Sequence, residues 1–283
     1  IPEPQSPVQL YFRTRTGTPP PEQAWWHVLR IVRDTVSDLM EAPMSGSDLC
    51  RLATGMAEAI RPTATQARSG PAEDPSKTEW PQTRPVEEIW LRRLIVAHQL
   101  HAMLNIHAAW ALHEAAGKLR DGKHHGAAEC LNRACRFVQG FTAARAQALS
   151  VPNFFYEETL RPTMLPPLTT APLSGRMHLE YRAYREALED VLDLMPESSE
   201  ELVVTQPALA LARERLLEAD LIEAERHVTG IEPLVGSDRS LIQTSKSTDN
   251  AISMLRRIRR QRASSASQFV RFPDRDGTVD ADM

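Results

Sequence analysis

Cysteine is scarce in this chain of 283 residues, which has only Cys50, Cys130 and Cys135. The three form no Cys-x-x-Cys pair, so the sequence supports neither a disulfide framework nor a thiolate metal site. We expect reduced thiols, as in a cytoplasmic protein. The first residues have neither a basic region nor an apolar run, so we also expect no secretory signal.

The chain also has no excess of basic residues: its formal net charge is −4. We therefore expect no nucleic-acid binding by the protein as a whole. The most apolar stretch, from Leu94 to Ala116, contains four histidines and a glutamine, which excludes a membrane span there. Glycine is scarce, with 12 residues, and no glycine-rich phosphate loop supports nucleotide binding.

Apolar residues instead recur at helical spacing in several long segments, while β-branched runs are short. Proline at the start of two of these segments fits the first turn of a helix. The sequence therefore predicts an all-α fold. The predicted helices cover residues 22–40, 47–60, 85–118, 127–149, 175–194, 207–227 and 248–262.

The helices are expected to form one domain, since 42% of the residues are hydrophobic and can fill a core. This domain covers residues 21–262 and includes long polar or proline-rich loops at 62–85 and 161–174. Residues 1–20 and the Ser-rich, acidic tail 263–283 are predicted to be flexible.

The most informative segment surrounds His227. Arg226 and His227 close a helical pattern rich in Ala, Leu and Glu, and Gly236 and Ser237 follow an apolar stretch nine and ten residues after the histidine. This arrangement resembles the segment around the proximal haem ligand of tryptophan 2,3-dioxygenases. An imidazole at a helix end is a natural axial ligand, since the helix holds the ring while the other side of the iron stays open.

Two further segments resemble the same family and occur in its order along the chain. Leu94–Gln99 resembles the helix of the distal histidine, where apolar residues precede a His-Gln pair. Ser174–Arg182 resembles a segment that begins with Ser-Gly in the dioxygenases. The chain is therefore similar to the histidine-ligated, haem-dependent aromatic oxygenases, and most similar to their haem-dependent tyrosine hydroxylases.

This resemblance implies a helical bundle of the tryptophan 2,3-dioxygenase type that encloses a haem. His227 is then the axial ligand of the iron, and His101, Gly236 and Ser237 also contact the cofactor. One tyrosine hydroxylase subgroup attaches its haem through a His-x-x-x-Cys pattern, but Ile231 stands at the cysteine position here. We therefore expect a non-covalent haem b. The alternative for His227 is a partly buried structural histidine.

His98 and His101 lie three residues apart on an otherwise apolar helix face, which favours a pocket over a packed core. The resemblance makes His98 the distal histidine. There it acts as a general acid/base, taking a proton from peroxide or a substrate hydroxyl and returning it. One alternative is a His-x-x-His zinc site, although no third ligand stands at helical spacing. The other is one core histidine and one surface histidine.

The carboxylate of an amino-acid substrate needs a cationic partner. Aligned on Leu160 and Pro162, the arginine that binds the carboxylate in the dioxygenases corresponds to Glu157, and Arg161 follows one helical turn later. The planar guanidinium of Arg161 suits a bidentate grip on a carboxylate. The alternative is a surface arginine beside a turn.

The remaining substrate-binding candidates are aromatic or belong to the Ser-Gly pair. Phe155 and Tyr156, with Phe154 before them, suit one wall of a pocket for a substrate ring, although such a run is equally typical of core packing. Ser174 and Gly175 are assigned to the pocket through the resemblance alone.

The resemblance implies a haem-dependent monooxygenase or peroxygenase that hydroxylates the ring of tyrosine or a derivative with O2 or H2O2 in a bacterial natural-product pathway. An indole-oxidising dioxygenase is the first alternative, and Glu157 at the arginine position counts against it. A non-catalytic helical protein that binds haem or a partner is the second alternative. The family also implies a homo-oligomer.

Overall fold

The computed structural model describes residues 7–14, 21–66, 86–170, 173, 178–235 and 251–269, and every regular element in these ranges is helical. The predicted all-α fold is confirmed. Within the same ranges, no helix combines the length and the hydropathy that crossing a lipid bilayer requires.

The helices are labelled in chain order. Their bounds are α1 Pro7–Phe12, α2 Pro21–Leu39, α3 Gly46–Gln66, α4 Val86–Arg120, α5 His124–Leu149, α6 Asn153–Phe155, α7 Arg161–Thr163, α8 Leu179–Asp193, α9 Ser199–Thr205, α10 Pro207–Val235 and α11 Ala251–Ser267. Between α6 and α7, Tyr156–Leu160 forms a π-helical turn. Such turns are rare, and many of them lie at functional sites.

Helices α4 and α5 form an antiparallel pair at the centre of the fold. Gly122 lies between them with a φ of +69°, in the left-handed region that glycine adopts without strain. Their facing sides bury apolar residues at helical spacing, including Leu104, Ala108 and Leu112 on α4 and Leu131 on α5. The α4–α5 pair forms the surface against which most of the other helices pack.

The other helices pack around this pair. Helices α3 and α10 lie against α5, while α2 and α8 lie against α4. Helix α11 packs on α10. Leucine, alanine and aromatic side chains fill the main core between them, among them the buried Leu100, Phe137, Phe141, Tyr184 and Leu216.

A second core lies beside the amino-terminal half of α4. It combines α1, residues 153–163, the last turns of α10 and the start of α11. Val8 and Phe12 of α1 are buried in it. This burial explains why a helix forms within the proline-rich segment 1–20 that the sequence predicts to be flexible.

Three other boundaries differ from the sequence prediction. Helix α3 continues beyond Pro62 to Gln66, into the predicted loop 62–85, and α11 extends to Ser267, into the predicted tail. Residues 161–163 are helical, although they begin the predicted loop 161–174. Proline weakens a helix, but packing against neighbouring elements decides whether the helix ends there.

His227 does not end its helix, contrary to the prediction. Helix α10 continues for eight more residues and includes Pro233 in its interior. Val228, Ile231 and Leu234 follow the histidine at helical spacing and are buried in the second core. Their packing extends the helix, so His227 stands in the interior of a long and well-supported element.

Helices α3 and α5 cross at a pair of glycines. A Cβ atom built on Gly140 would lie 3.2 Å from the Cα atom of Gly55 and 3.0 Å from Cδ1 of Leu104. A Cβ atom on Gly55 would lie 3.1 Å from the Cα atom of Gly140. These distances are shorter than ordinary van der Waals contacts, so a methyl group at either position would require the facing helix to move by a few tenths of an ångström.

Gly140→Ala is expected to lower the free energy of unfolding by about 1–3 kcal/mol, because the added methyl group pushes α5 away from α3. Gly117→Ala on α4 is the matched control, since no heavy atom lies within 4 Å of its Cβ position. There, the helical preference of alanine should raise stability by about 0.5–1 kcal/mol. Urea unfolding measures both changes, and an equal response of the two variants would contradict the tight crossing.

Candidate functional site

Four histidines from three parts of the chain meet beside the second core. His98 and His101 lie on α4, His178 immediately precedes α8, and His227 lies on α10. The ring centroid of His178 is 6.0 Å from that of His98 and 6.3 Å from that of His101. Burial and the charge of Arg145 lower the pKa values of both His101 and His227, so His227 belongs to the same region of the bundle. The structure thus joins three predicted residues and adds His178.

Two contacts hold the His98 ring. Its Nδ1 lies 2.7 Å from the carbonyl oxygen of Leu94, so this nitrogen carries the proton and donates it. The Phe12 ring stacks on it, with 3.8 Å between centroids and an interplanar angle of 6°. Burial, together with the charges of His178 and Arg145, lowers the pKa of His98 to about 3. The ring is therefore neutral at pH 7, and its Nε2 keeps a lone pair.

His101 is engaged in a different way. Nη2 of Arg145 donates a hydrogen bond to its Nε2 at 3.0 Å, and Phe141 packs edge-on with 5.4 Å between the ring centroids. Burial and the charge of Arg145 lower the pKa of His101 well below its usual value. Because Arg145 occupies the Nε2 lone pair, the predicted contact of His101 with a cofactor requires a movement of Arg145.

The other two histidines are neutral as well. Burial and the charge of Arg145 lower the pKa of His178 to about 4. Nδ1 of His178 is buried and has no hydrogen-bond partner within the described part of the chain. Burial and the charges of Arg145 and Arg262 lower the pKa of His227 well below its usual value. Sequence reasoning gives His178 no role, although the residue lies within the predicted helix 175–194 and within the family-like segment Ser174–Arg182.

Arg145 of α5 connects the histidine cluster to a buried ion network. Its guanidinium forms an ion pair with Glu223 of α10, a residue that is only 1% exposed. Nη1 of Arg262, on α11, donates to the other carboxylate oxygen of Glu223 at 2.5 Å. Arg262 also contacts the hydroxyl group of Tyr181 and, at 3.3 Å, Oδ1 of Asp220.

Asp220 extends the network to α8. It accepts hydrogen bonds from the hydroxyl group of Tyr184 at 2.9 Å and from Nη1 of Arg185 at 2.8 Å. Sequence reasoning misses these residues. The arginine-rich pattern of α11 is typical of a solvated face, yet Arg262 is buried, and Arg145 stands alone in an alanine-rich stretch. A single charged residue among apolar neighbours is the one signal that marks Arg145.

The predicted substrate-binding residues lie in the second core. Arg161 is buried and pairs with Glu157, whose two carboxylate oxygens are both 3.2 Å from its Nη1. Tyr156 is buried near this pair, and Phe155 packs on Trp90 with 5.0 Å between ring centroids. The carboxylate of Glu157 therefore occupies the position beside Arg161 where a substrate carboxylate was expected.

Helix α1 connects this region with the histidine cluster. The hydroxyl oxygens of Tyr11 and Thr163 are 2.6 Å apart, and the Tyr11 ring contacts Phe12 edge-on at 4.9 Å between centroids. Phe12 in turn stacks on His98. The remaining predicted site residues lie outside the residues that the structure describes; they are Ser174, Gly175, Gly236 and Ser237.

The donor set of the cluster fits a haem. Neutral His98 and His227 carry lone pairs on imidazole, which is a common ligand of haem iron, and the iron needs only one or two protein ligands. The buried Arg145 suits the carboxylate of a propionate. Within the described ranges, no group of three or more histidine, cysteine or acidic side chains has the geometry to hold a metal ion.

A cavity of about 310 Å³ lies beside the ion network, between α5 and α10. Arg145, Leu149, Arg226 and Gly230 are among the residues that line it. Its volume is at the lower end of the range of small-molecule sites, about 300–1,000 Å³. Arg145 therefore contacts the histidine cluster through its guanidinium and is also one of the residues that line the cavity.

Neutral imidazoles and guanidinium groups in the centre of a helical bundle define an all-α protein with the ligand chemistry of a haem-dependent oxidoreductase. Comparison with family models places it more closely. The model described as SfmD 3-methyl-L-tyrosine peroxygenase matches residues 2–213 of the 283, and the chain belongs to this family. Comparison with curated proteins and with solved structures gives no match.

The chain is therefore an oxidoreductase of a haem-dependent peroxygenase family, which acts on a tyrosine derivative in a natural-product pathway. This finding confirms the main function predicted from the sequence. It supports neither the indole-oxidising dioxygenase nor the non-catalytic protein given as alternatives. The matched region includes His98, His101, Arg145 and His178 and ends before His227.

Proposed function

We propose that this enzyme hydroxylates the ring of tyrosine or a tyrosine derivative with hydrogen peroxide, using a non-covalent haem b ligated by His227. The observation that carries the proposal is the cluster of four neutral histidines, of which His101 is buried and the other three are partly buried. We also propose kinship with the histidine-ligated aromatic oxygenases and, from that kinship, a homo-oligomer. When bound, the haem supplies the oxygen chemistry, while the protein binds, orients and moves protons.

His227 is the proposed axial ligand because of its support and its protonation state. It stands in the interior of α10, which packs against α5 and α11, so the backbone under the ring is rigid. Its neutral imidazole keeps a lone pair for the iron. At the fourth position after it, Ile231 is buried in the second core, so no thiol stands there to form a thioether.

His227→Ala is expected to lose most bound haem, or to bind it only with added imidazole, because the iron loses its protein ligand. The matched control is His107→Ala, which removes another histidine of the core, packed on Phe137 and Trp110, and should retain haem. The Soret band of the ferric protein measures occupancy, and acid extraction should free the wild-type haem. Full occupancy with an unchanged spectrum in His227→Ala would show that another residue is the ligand.

His98 is proposed to move protons during the reaction. Its Nδ1 proton is held by the carbonyl oxygen of Leu94, so Nε2 of the neutral ring is the atom that accepts a proton and returns it. Peroxide must lose a proton from one oxygen, and its other oxygen must gain a proton as the O–O bond breaks. One imidazole held in a constant orientation can serve both transfers.

His98→Phe is expected to retain haem and the helical fold but to lose about 10²–10⁴-fold in kcat, the usual contribution of a general acid/base. His101→Phe should be milder, because Nε2 of His101 is already engaged by Arg145. Steady-state kinetics with peroxide measure both variants. The opposite order of effects would assign the proton transfers to His101.

A pH profile of kcat/KM tests the same assignment. An imidazole with its ordinary pKa protonates near pH 6.5, whereas burial lowers the pKa of His98 to about 3. Because the base acts in its neutral form, His98 should cause no loss of activity between pH 7 and pH 5. An acid limb near pH 6.5 that disappears in His98→Phe would contradict the burial of this ring.

Arg161 is proposed to bind the substrate carboxylate, with Phe155 and Tyr156 as the aromatic wall. Ser174 and Gly175 are proposed as substrate-binding residues from the resemblance alone. Arg161 is paired with Glu157 in the structure, so the substrate carboxylate must displace that of Glu157. The buried position of the guanidinium favours a strong, charge-assisted bond once the exchange is made.

Arg161→Leu is expected to weaken the binding of tyrosine by about 2–5 kcal/mol, because a buried charge pair loses one partner. Tyramine, which lacks the carboxylate, should bind almost as well as to the wild type. Glu157→Gln is the matched control, since it removes the negative charge that competes for Arg161 and should leave tyrosine binding equal or stronger. Spectral titrations measure the affinities, and an equal loss for both ligands would assign Arg161 to folding.

A further inference from the structure

The buried network around Arg145 contains more positive than negative groups. Among the residues that the structure describes, three guanidinium groups contact only two carboxylates: those of Arg145, Arg185 and Arg262 against those of Asp220 and Glu223. The arginine side chains are 15%, 22% and 7% exposed, and the acids 1% and 6%. The network therefore has one uncompensated positive charge in a region with little water.

The excess charge falls on Arg145. Nη1 of Arg185 donates to both oxygens of Asp220, at 2.9 and 2.8 Å. Arg262 donates to Glu223 at 2.5 Å and to Asp220 at 3.3 Å. Arg145 must share the carboxylate of Glu223 with Arg262, so it has no acid of its own.

The groups around Arg145 do not neutralise it. His101 accepts its hydrogen bond as a neutral ring, and the positive charge also keeps His178 and His227 neutral by lowering their pKa values. Burial lowers the pKa of Arg145 itself only to about 10, so the guanidinium is charged at pH 7. A buried charge without a full partner is strongly unfavourable, and an anionic ligand removes the penalty.

Arg145 is also one of the residues that line the cavity of about 310 Å³ between α5 and α10, so a ligand in that cavity lies next to this residue. A carboxylate matches the deficit, since it carries one negative charge and presents two oxygens in the plane of a guanidinium. Haem and amino-acid substrates both carry carboxylates, so the chemistry of the proposed function supplies the missing group.

We propose that Arg145 binds a carboxylate that a ligand brings into the site, either a haem propionate or, in place of Arg161, the α-carboxylate of the substrate. The choice of these two sources rests on the proposed function. The role of Arg145 itself rests on the charge count and on its place between the histidine cluster and the cavity.

Two pairs of ligands separate the sources. The first pair is haem and haem dimethyl ester, whose propionates carry no charge, and the second is tyrosine and tyramine. In one pair, the wild type should bind the carboxylate form roughly ten- to a hundredfold more tightly, and Arg145→Gln should lose that preference. Arg145→Lys keeps the positive charge and should therefore keep most of the preference for the carboxylate form. Spectral titration follows haem binding, and calorimetry follows the amino acids.

Arg262→Gln is the control for folding. It removes a partner from both acids and should lower the melting temperature of the ligand-free protein, whereas Arg145→Gln leaves each acid an arginine and should melt near the wild type. Unchanged preferences in both pairs after Arg145→Gln would overturn the inference. If the wild type binds neither form of haem, the proposed function fails, and the tyrosine pair alone then decides the role of Arg145.

Discussion

The ion pair between Arg145 and Glu223 is the interaction on which the site depends. It joins α5 to α10, and through Arg262 and Asp220 it extends to α11 and α8. Desolvation offsets most of the attraction in such a pair, but the loss of one partner leaves the other charged and buried. The network thus holds together the helices that surround the histidines, because separating its members would leave buried charges without partners. Tyr184 adds a neutral hydrogen-bond donor to the network.

Burial and the same network together lower the pKa values of the histidines. Desolvation and a nearby positive charge both disfavour imidazolium, and both act on His98, His101, His178 and His227. The rings stay neutral at pH 7, which is the form that binds a metal or accepts a proton. Burial and the network together therefore keep four bases neutral and ready for chemistry.

Sequence periodicity predicts the helices and the residues that share a helix face. It does not predict which residues come together through the packing of distant helices. The long helices α4 and α5 and the placement of His98 and His101 on one apolar face follow from regular spacing. The position of His178 in the cluster does not, because it depends on how α8 packs against α4. The interior position of His227 and the burial of Arg262 also depend on packing, which a basic pattern or a proline in the sequence does not reveal.

Helix α1 makes the first residues of the chain part of the site. Phe12 covers one face of the His98 imidazole, and Gln99 anchors the same turn by donating to the carbonyl oxygen of Phe12 at 3.0 Å. A chain shortened to begin after Thr14 would let water reach this imidazole, and its proton affinity would rise toward that of free histidine. The pKa of His98 thus depends partly on α1, which lies in the segment 1–20 that composition alone would leave out of the domain.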